Sequence, residues 1–144
     1  MNQKYDCIIG IDPGTNTGIA VWRTDKQCLC SVETMGITEA MDKVRLINHE
    51  HRGELSILVR IENPNLRKWF GNSGREKLQG AGSIKRDFAI WVEFFGRNGI
   101  PYEEVAPRNI KTKVSAEYFK KLTGWEGRTS SHGRDAAMMV FKYQ

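Results

Sequence analysis

The stretch Tyr5 to Trp22, YDCIIGIDPGTNTGIAVW, constrains this chain more than any other. Cys7, Ile8, Ile9 and Ile11 form a short apolar run of the kind buried in the middle of a sheet. Asp12 ends that run, and a carboxylate there is costly to bury unless it is paired or holds a metal. Pro13-Gly14 and Asn16 supply turn chemistry, and Thr17 to Arg23 resumes in β-rich residues. The reading is a strand, a tight turn and a second strand, with Asp12 held at the mouth of the hairpin. A strand fixes a side chain better than a loop does, which suits a catalytic group.

Gln27 to Thr34 reads as a third strand, joined closely enough to continue an antiparallel meander. Ile37, Ala40, Met41, Val44 and Ile47 recur at helical spacing, so a helix is expected over 37–52, with His49 and His51 at its polar end. Leu55 to Ile61 is an apolar fourth strand that delivers Glu62, followed by Asn63-Pro64. A helix between strands three and four lets strand four lie parallel to strand one. Asp12 and Glu62 then face the same edge of the sheet, on strands about 4.8 Å apart. Taken singly, Glu62 is also an ordinary strand-end carboxylate.

Residues 63–74 form a loop whose tip carries Arg67, Lys68, Trp69 and Phe70. Two aromatics beside two cations can stack on or wedge between bases while the cations hold phosphates. The aromatics folding back onto the core is the competing reading. Arg75 to Arg97 is the longest expected helix, with Arg75 and Lys77 in its first turn. Its stripe of Leu78, Ala81, Ile84, Phe88, Trp91, Val92 and Phe95 is wide enough for the sheet and for a partner subunit. Phe88, Trp91 and Phe95 are therefore candidate subunit contacts as well as core residues. Ile100 to Val105 is a fifth strand, and Pro101 at its start suggests an edge position. Arg108, Lys111 and Lys113 follow in a turn that fits phosphate contact or plain solvation. Ser115 caps a short helix to Leu122, and Ser130 or Ser131 caps a last helix running to the C-terminus. His132 and Asp135, three apart, share one face of its first turn.

The 144 residues fit one domain, 1–144, and 40% hydrophobic content supports a core. No run of about 18 apolar residues is present, so no membrane span is expected. The N-terminus lacks the layout of a secretory signal. Cys7, Cys28 and Cys30 are odd in number and lack CxxC spacing. They suggest core or half-buried thiols in a reducing cytoplasm rather than a disulfide framework or zinc site. The net charge of +5 is uneven: residues 1–59 hold six Lys/Arg against eight Asp/Glu, and residues 60–144 hold sixteen against nine. That basic excess favours a polyanionic partner such as nucleic acid.

The collected chemistry is Asp12, Glu62, His132 and Asp135 on a chain with a basic second part. Three carboxylates at one sheet edge repel one another and call for a cation; oxygen donors suit Mg²⁺ or Mn²⁺. Two such ions can cleave a phosphodiester. With these residues in view, the chain resembles the RuvC-type Holliday-junction resolvases of the RNase H-like superfamily. The likeness rests on GIDPGTNTGIAV (10–21), IENP (61–64), LQGAGSI (78–84), VAPRNIK (105–111) and HGRDAAM (132–138). It implies an α/β fold with a five-stranded mixed sheet, strands one to three antiparallel and strands four and five parallel to strand one, flanked by helices. It further implies a nuclease using two Mg²⁺ or Mn²⁺ ions, with Asp12, Glu62, His132 and Asp135 as the metal-binding and catalytic set. Asp12 and Glu62 hold the metals most directly, Asp135 completes the set and His132 assists at the water or scissile phosphate. The family acts as a homodimer, nicks four-way DNA junctions in pairs, reaches into the junction with the loop here at 67–70, and packs partly through the long helix. The compact length fits a phage-type relative acting in a bacterial or phage-infected cell.

Three other readings stay beside this one. The DPGT turn also resembles the phosphate-binding hairpin of actin- and Hsp70-type ATPases, but that fold needs two duplicated halves and far more than 144 residues. A catalytically silent junction- or RNA-binding module would not need the acidic set. A general branched-DNA nuclease or ribonuclease on the same scaffold is harder to separate, because a metal site does not encode its substrate.

Overall fold

The computed structural model describes residues 4–50, 53–66, 74–107 and 114–144, with residues 74–81 described by their backbone. Five strands, β1 (Cys7–Asp12), β2 (Asn16–Arg23), β3 (Cys28–Gly36), β4 (Ile57–Glu62) and β5 (Tyr102–Val105), form one sheet in the order β3-β2-β1-β4-β5. β1, β2 and β3 pair antiparallel; β4 lies parallel to β1 and β5 parallel to β4. This is the expected mixed sheet, and the Pro101 strand is at its edge. β1 is buried at every position, as its unbroken apolar run requires of a central strand.

Strand alternation divides the sheet into two faces. Ile9, Ile11, Ile19, Val59 and Ile61 point to one face, where α1 (Ile37–Glu50) and α2 (Gly74–Asn98) cover them with Ala40, Val44, Phe88, Trp91, Phe94 and Phe95. Ile8, Ala20, Trp22, Val32 and Leu58 point to the other, under α3 (Ala116–Thr123) and α4 (Ser131–Met138). The chain is thus a three-layer α/β/α sandwich.

Several sequence expectations change here. Phe88, Trp91 and Phe95 are at most 7% exposed and belong to the core over β1 and β4. In the single chain they serve the core and present no exposed face. The α2 stripe turns further than its spacing suggested: Phe94 is buried with them, whereas Ile84 is 41% exposed. The last helix does not run to the C-terminus. It stops at Met138, where the Met139 N–H is shared between the Ala136 and Ala137 carbonyls, and Lys142 then takes a left-handed conformation. Cys7 is a core thiol as expected, but Cys28 and Cys30 are exposed. They lie on β3, which among the described residues is an edge strand paired with β2. Among the described residues, no helix is long and apolar enough to cross a membrane.

Candidate functional site

Two carboxylates are set by strand register. Ile11 pairs with Ile61 across the parallel β1–β4 ladder, so the next residues, Asp12 and Glu62, stand side by side at the strand tips. Both continue the even-numbered alternation of Ile8 and Gly10 on β1 and of Leu58 and Arg60 on β4. They therefore point to the α3/α4 face. Asp12 is 9% exposed and Glu62 is half-buried.

The third element is α4, which lies unusually close to the sheet. A Cβ on Gly18 would stand 1.9 Å from the His132 carbonyl oxygen, and one on Gly10 would stand 2.3 Å from that of Ala136. From the helix side, a Cβ on Gly133 would meet Val32 at 3.1 Å and the Glu33 carbonyl at 3.2 Å. Three glycines thus remove the side chains that would hold helix and sheet apart. Gly18 is the register partner of Asp12 in β2, so the close approach occurs beside the carboxylate. His132, in the first turn of α4, comes within 3.0 Å of Asp12 through its Nδ1 and the Asp12 Oδ2. An ionised carboxylate only accepts, so the imidazole donates from Nδ1, which in the neutral ring leaves the lone pair on Nε2. The His132 side chain is 46% exposed, open enough to meet a substrate. Asp135 follows three residues later on the same side of the helix and is half-buried.

The start of α4 is fixed by its surroundings. Ser130 is the N-cap, its hydroxyl accepting from the Gly133 N–H at 3.2 Å and touching the Thr34 hydroxyl of β3. Arg134, between His132 and Asp135, donates from Nε to the Val114 carbonyl at 2.9 Å. Its Nη1 donates to the Thr129 carbonyl at 2.8 Å and hydroxyl at 2.9 Å. One guanidinium therefore ties α4 to the loop before it and to the segment that follows Lys113. On the β4 side, Asn63 is buried, accepts from the Asn65 N–H at 2.8 Å and donates to Glu104 at 3.1 Å. That turn sets how the chain leaves Glu62.

The sequence alone did not single out Gly10, Gly18, Gly133, Arg134 or Asn63 as supports. A glycine inside a strand is the available signal for the first two, since it marks close backbone approach. Arg67, Lys68, Trp69, Phe70, Arg108, Lys111, Lys113 and His51 lie outside the described residues, as do the side chains of Arg75 and Lys77.

Asp12, Glu62, His132 and Asp135 thus sit on three elements that meet at one rim, with Asp12 and His132 in contact. Among the described residues, no three His, Cys, Asp or Glu side chains close around a common point that could hold a metal ion. By donor chemistry the set still fits a hard divalent cation, being rich in carboxylate oxygen beside one imidazole.

No protein-family model matches the chain, and no curated protein matches it in sequence. Among solved structures it is similar to T. thermophilus RuvC in complex with a Holliday junction substrate, with a TM-score of 0.64 and 18% identity. The match covers 94% of this chain and 90% of that one. At that identity the likeness is one of fold: a five-stranded mixed sheet with flanking helices.

Proposed function

We propose that this chain is an endonuclease that hydrolyses phosphodiester bonds in branched DNA, four-way junctions foremost, with two Mg²⁺ or Mn²⁺ ions. We further propose that it acts as a homodimer making paired nicks. The observation that carries the reading is the convergence of Asp12 and Glu62 with the first turn of α4, where His132 is hydrogen-bonded to Asp12. The fold likeness to a RuvC bound to a Holliday junction supports the choice of substrate.

Asp12, Glu62 and Asp135 would hold the ions, with His132 at the edge of the set. When bound, such ions polarise the phosphate and make water a usable nucleophile at neutral pH. The protein's own part is placement and proton handling. The strand tips hold two carboxylates at fixed spacing. The Asp12–His132 bond fixes the imidazole, so that Nε2 can take a proton from the attacking water or return one to the leaving oxygen. The basic excess of residues 60–144 would offset the phosphates. Arg67, Lys68, Arg75 and Lys77 would contribute on one side, and Arg108, Lys111 and Lys113 on the other. Trp69 and Phe70 would stack on or wedge between bases at the branch point.

The test is Asp12→Asn, which keeps the side chain's shape and removes its charge. It is expected to abolish Mg²⁺-dependent cutting of a synthetic four-way junction while junction binding persists. Cutting at the parent rate would overturn the assignment. The parent protein is then offered four-way, three-way, flap and RNA–DNA hybrid substrates side by side. Preference for the four-way junction supports the proposal, and equal cutting of all four points to a general nuclease on this scaffold.

A further inference from the structure

The exposed thiols of Cys28 and Cys30 are not explained by the nuclease reading. They lie at the far end of β2 and β3 from Asp12, where Arg23 pairs with Cys28 rather than Gly18 with Asp12. A regular strand holds same-face neighbours about 6.6 Å apart along its axis. Here the two Sγ atoms are only 3.5 Å apart. The ladder is irregular at this point: Trp22 pairs with Leu29 and Val21 with Ser31, so Cys30 has no register partner on β2. A bulge of this kind bends the strand and re-aims its side chains, and bulges gather at edges and at sites. Both thiols are open to solvent.

We propose that Cys28 and Cys30 form a two-thiolate site for a soft divalent cation of the zinc–cadmium class, separate from the oxygen site at Asp12. Metal–sulfur bonds of about 2.3 Å spanning 3.5 Å subtend an angle of about 100° at the ion. That is close to the tetrahedral value and far from the linear arrangement of two-coordinate ions. The remaining positions face solvent. Soft sulfur donors select such ions over Mg²⁺, so the two sites take different metals. Burial and the adjacent Cys28 hold the Cys30 thiol above its ordinary range, while Arg23 and Lys26 draw it down. Two neighbouring thiolates repel, and a cation between them relieves that repulsion. Binding releases the thiol protons to solvent and needs no oxidant or reductant.

The reduced full chain is titrated with Cd²⁺ alone, in buffer without Mg²⁺. Thiolate-to-cadmium charge-transfer absorption, native mass spectrometry and the rate of thiol alkylation are followed. One thiolate-bound Cd²⁺ per chain is expected, with two of the three thiols protected from alkylation. Cys28→Ser and Cys30→Ser should each weaken binding by about a hundredfold, because a lone thiolate loses the second, intramolecular contact. Cys7→Ala should leave binding unchanged. The proposal is overturned if the Cys28→Ser/Cys30→Ser double variant binds Cd²⁺ as tightly as the parent, or if Cd²⁺ gives no protection. Asp12→Asn is expected to keep the thiolate absorption, so this result stands or falls apart from the nuclease assignment.

Discussion

Gly18→Ala tests whether the site depends on how closely α4 lies on the sheet. The new Cβ would stand 1.9 Å from the His132 carbonyl oxygen and 2.3 Å from its carbon, both backbone atoms that no side-chain rotation can clear. Ordinary contact begins near 3.4 Å, so the first turn of α4 must retreat by about 1.5 Å or β2 must bend by as much. The Asp12–His132 bond is 3.0 Å long and does not survive a displacement of that size along its axis. Overpacking of this kind costs roughly 1–3 kcal/mol, which for a chain of this length lowers Tm by roughly 2–12 °C. A shift of about 1 Å in a catalytic group costs roughly 10²-fold in rate. The assays are thermal unfolding by circular dichroism and single-turnover cleavage of a four-way junction with Mg²⁺. Gly96→Ala is the control: it lies in α2 with nothing within 4 Å of the added methyl, and helix propensity alone should stabilise it by about 1 kcal/mol. A Gly18→Ala protein that melts and cuts like the parent would refute the reasoning. The melting result stands even if the substrate proves to be something else.

Two further outcomes follow from the structure. Arg134→Met removes three hydrogen bonds that tie α4 to Val114 and Thr129 and should cost about 2–3 kcal/mol in urea unfolding, with Arg134→Lys recovering less than half because a lysine cannot span both loops. Burial pushes the Cys7 thiol from 9.0 up to about 11. Below pH 9 its proton stays on in both folded and unfolded chains and stability is full; between pH 9 and 11 only the unfolded thiol ionises, so stability falls by up to about 3 kcal/mol. Cys7→Val should flatten that loss when urea unfolding is compared at about pH 8 and about pH 10.5, on either side of the unfolded thiol's titration.

Much of the site was legible in residue order. Asp12 and Glu62 each end an apolar run, and such runs announce central strands whatever the rest of the chain does. The helix between β3 and β4 then makes β4 parallel to β1, which sends both carboxylates to the same edge. The Ser130 cap and the three-residue spacing of His132 and Asp135 were also visible. Less legible was the face of α2. Its apolar residues are numerous enough to cover more than one side, and spacing cannot say where burial stops. Phe88, Trp91 and Phe95 therefore looked available to a partner until the packing beside α1 placed them in the core. The cysteines misled for a related reason. Hydrophobic character alone puts a thiol inside, whereas Cys28 and Cys30 sit on an edge strand at a bulge, and neither position can be read from composition.

By itself, the order of residues determined the elements, the sense of the sheet and the two acidic strand tips, because period-two alternation and turn chemistry act over a few neighbouring residues. Only the tertiary structure decided that His132 meets Asp12. That contact joins residues 120 positions apart and exists because Gly10, Gly18 and Gly133 let a helix rest directly on the strands. Close packing is a property of two surfaces at once, and no local pattern in either one records how near the other will come.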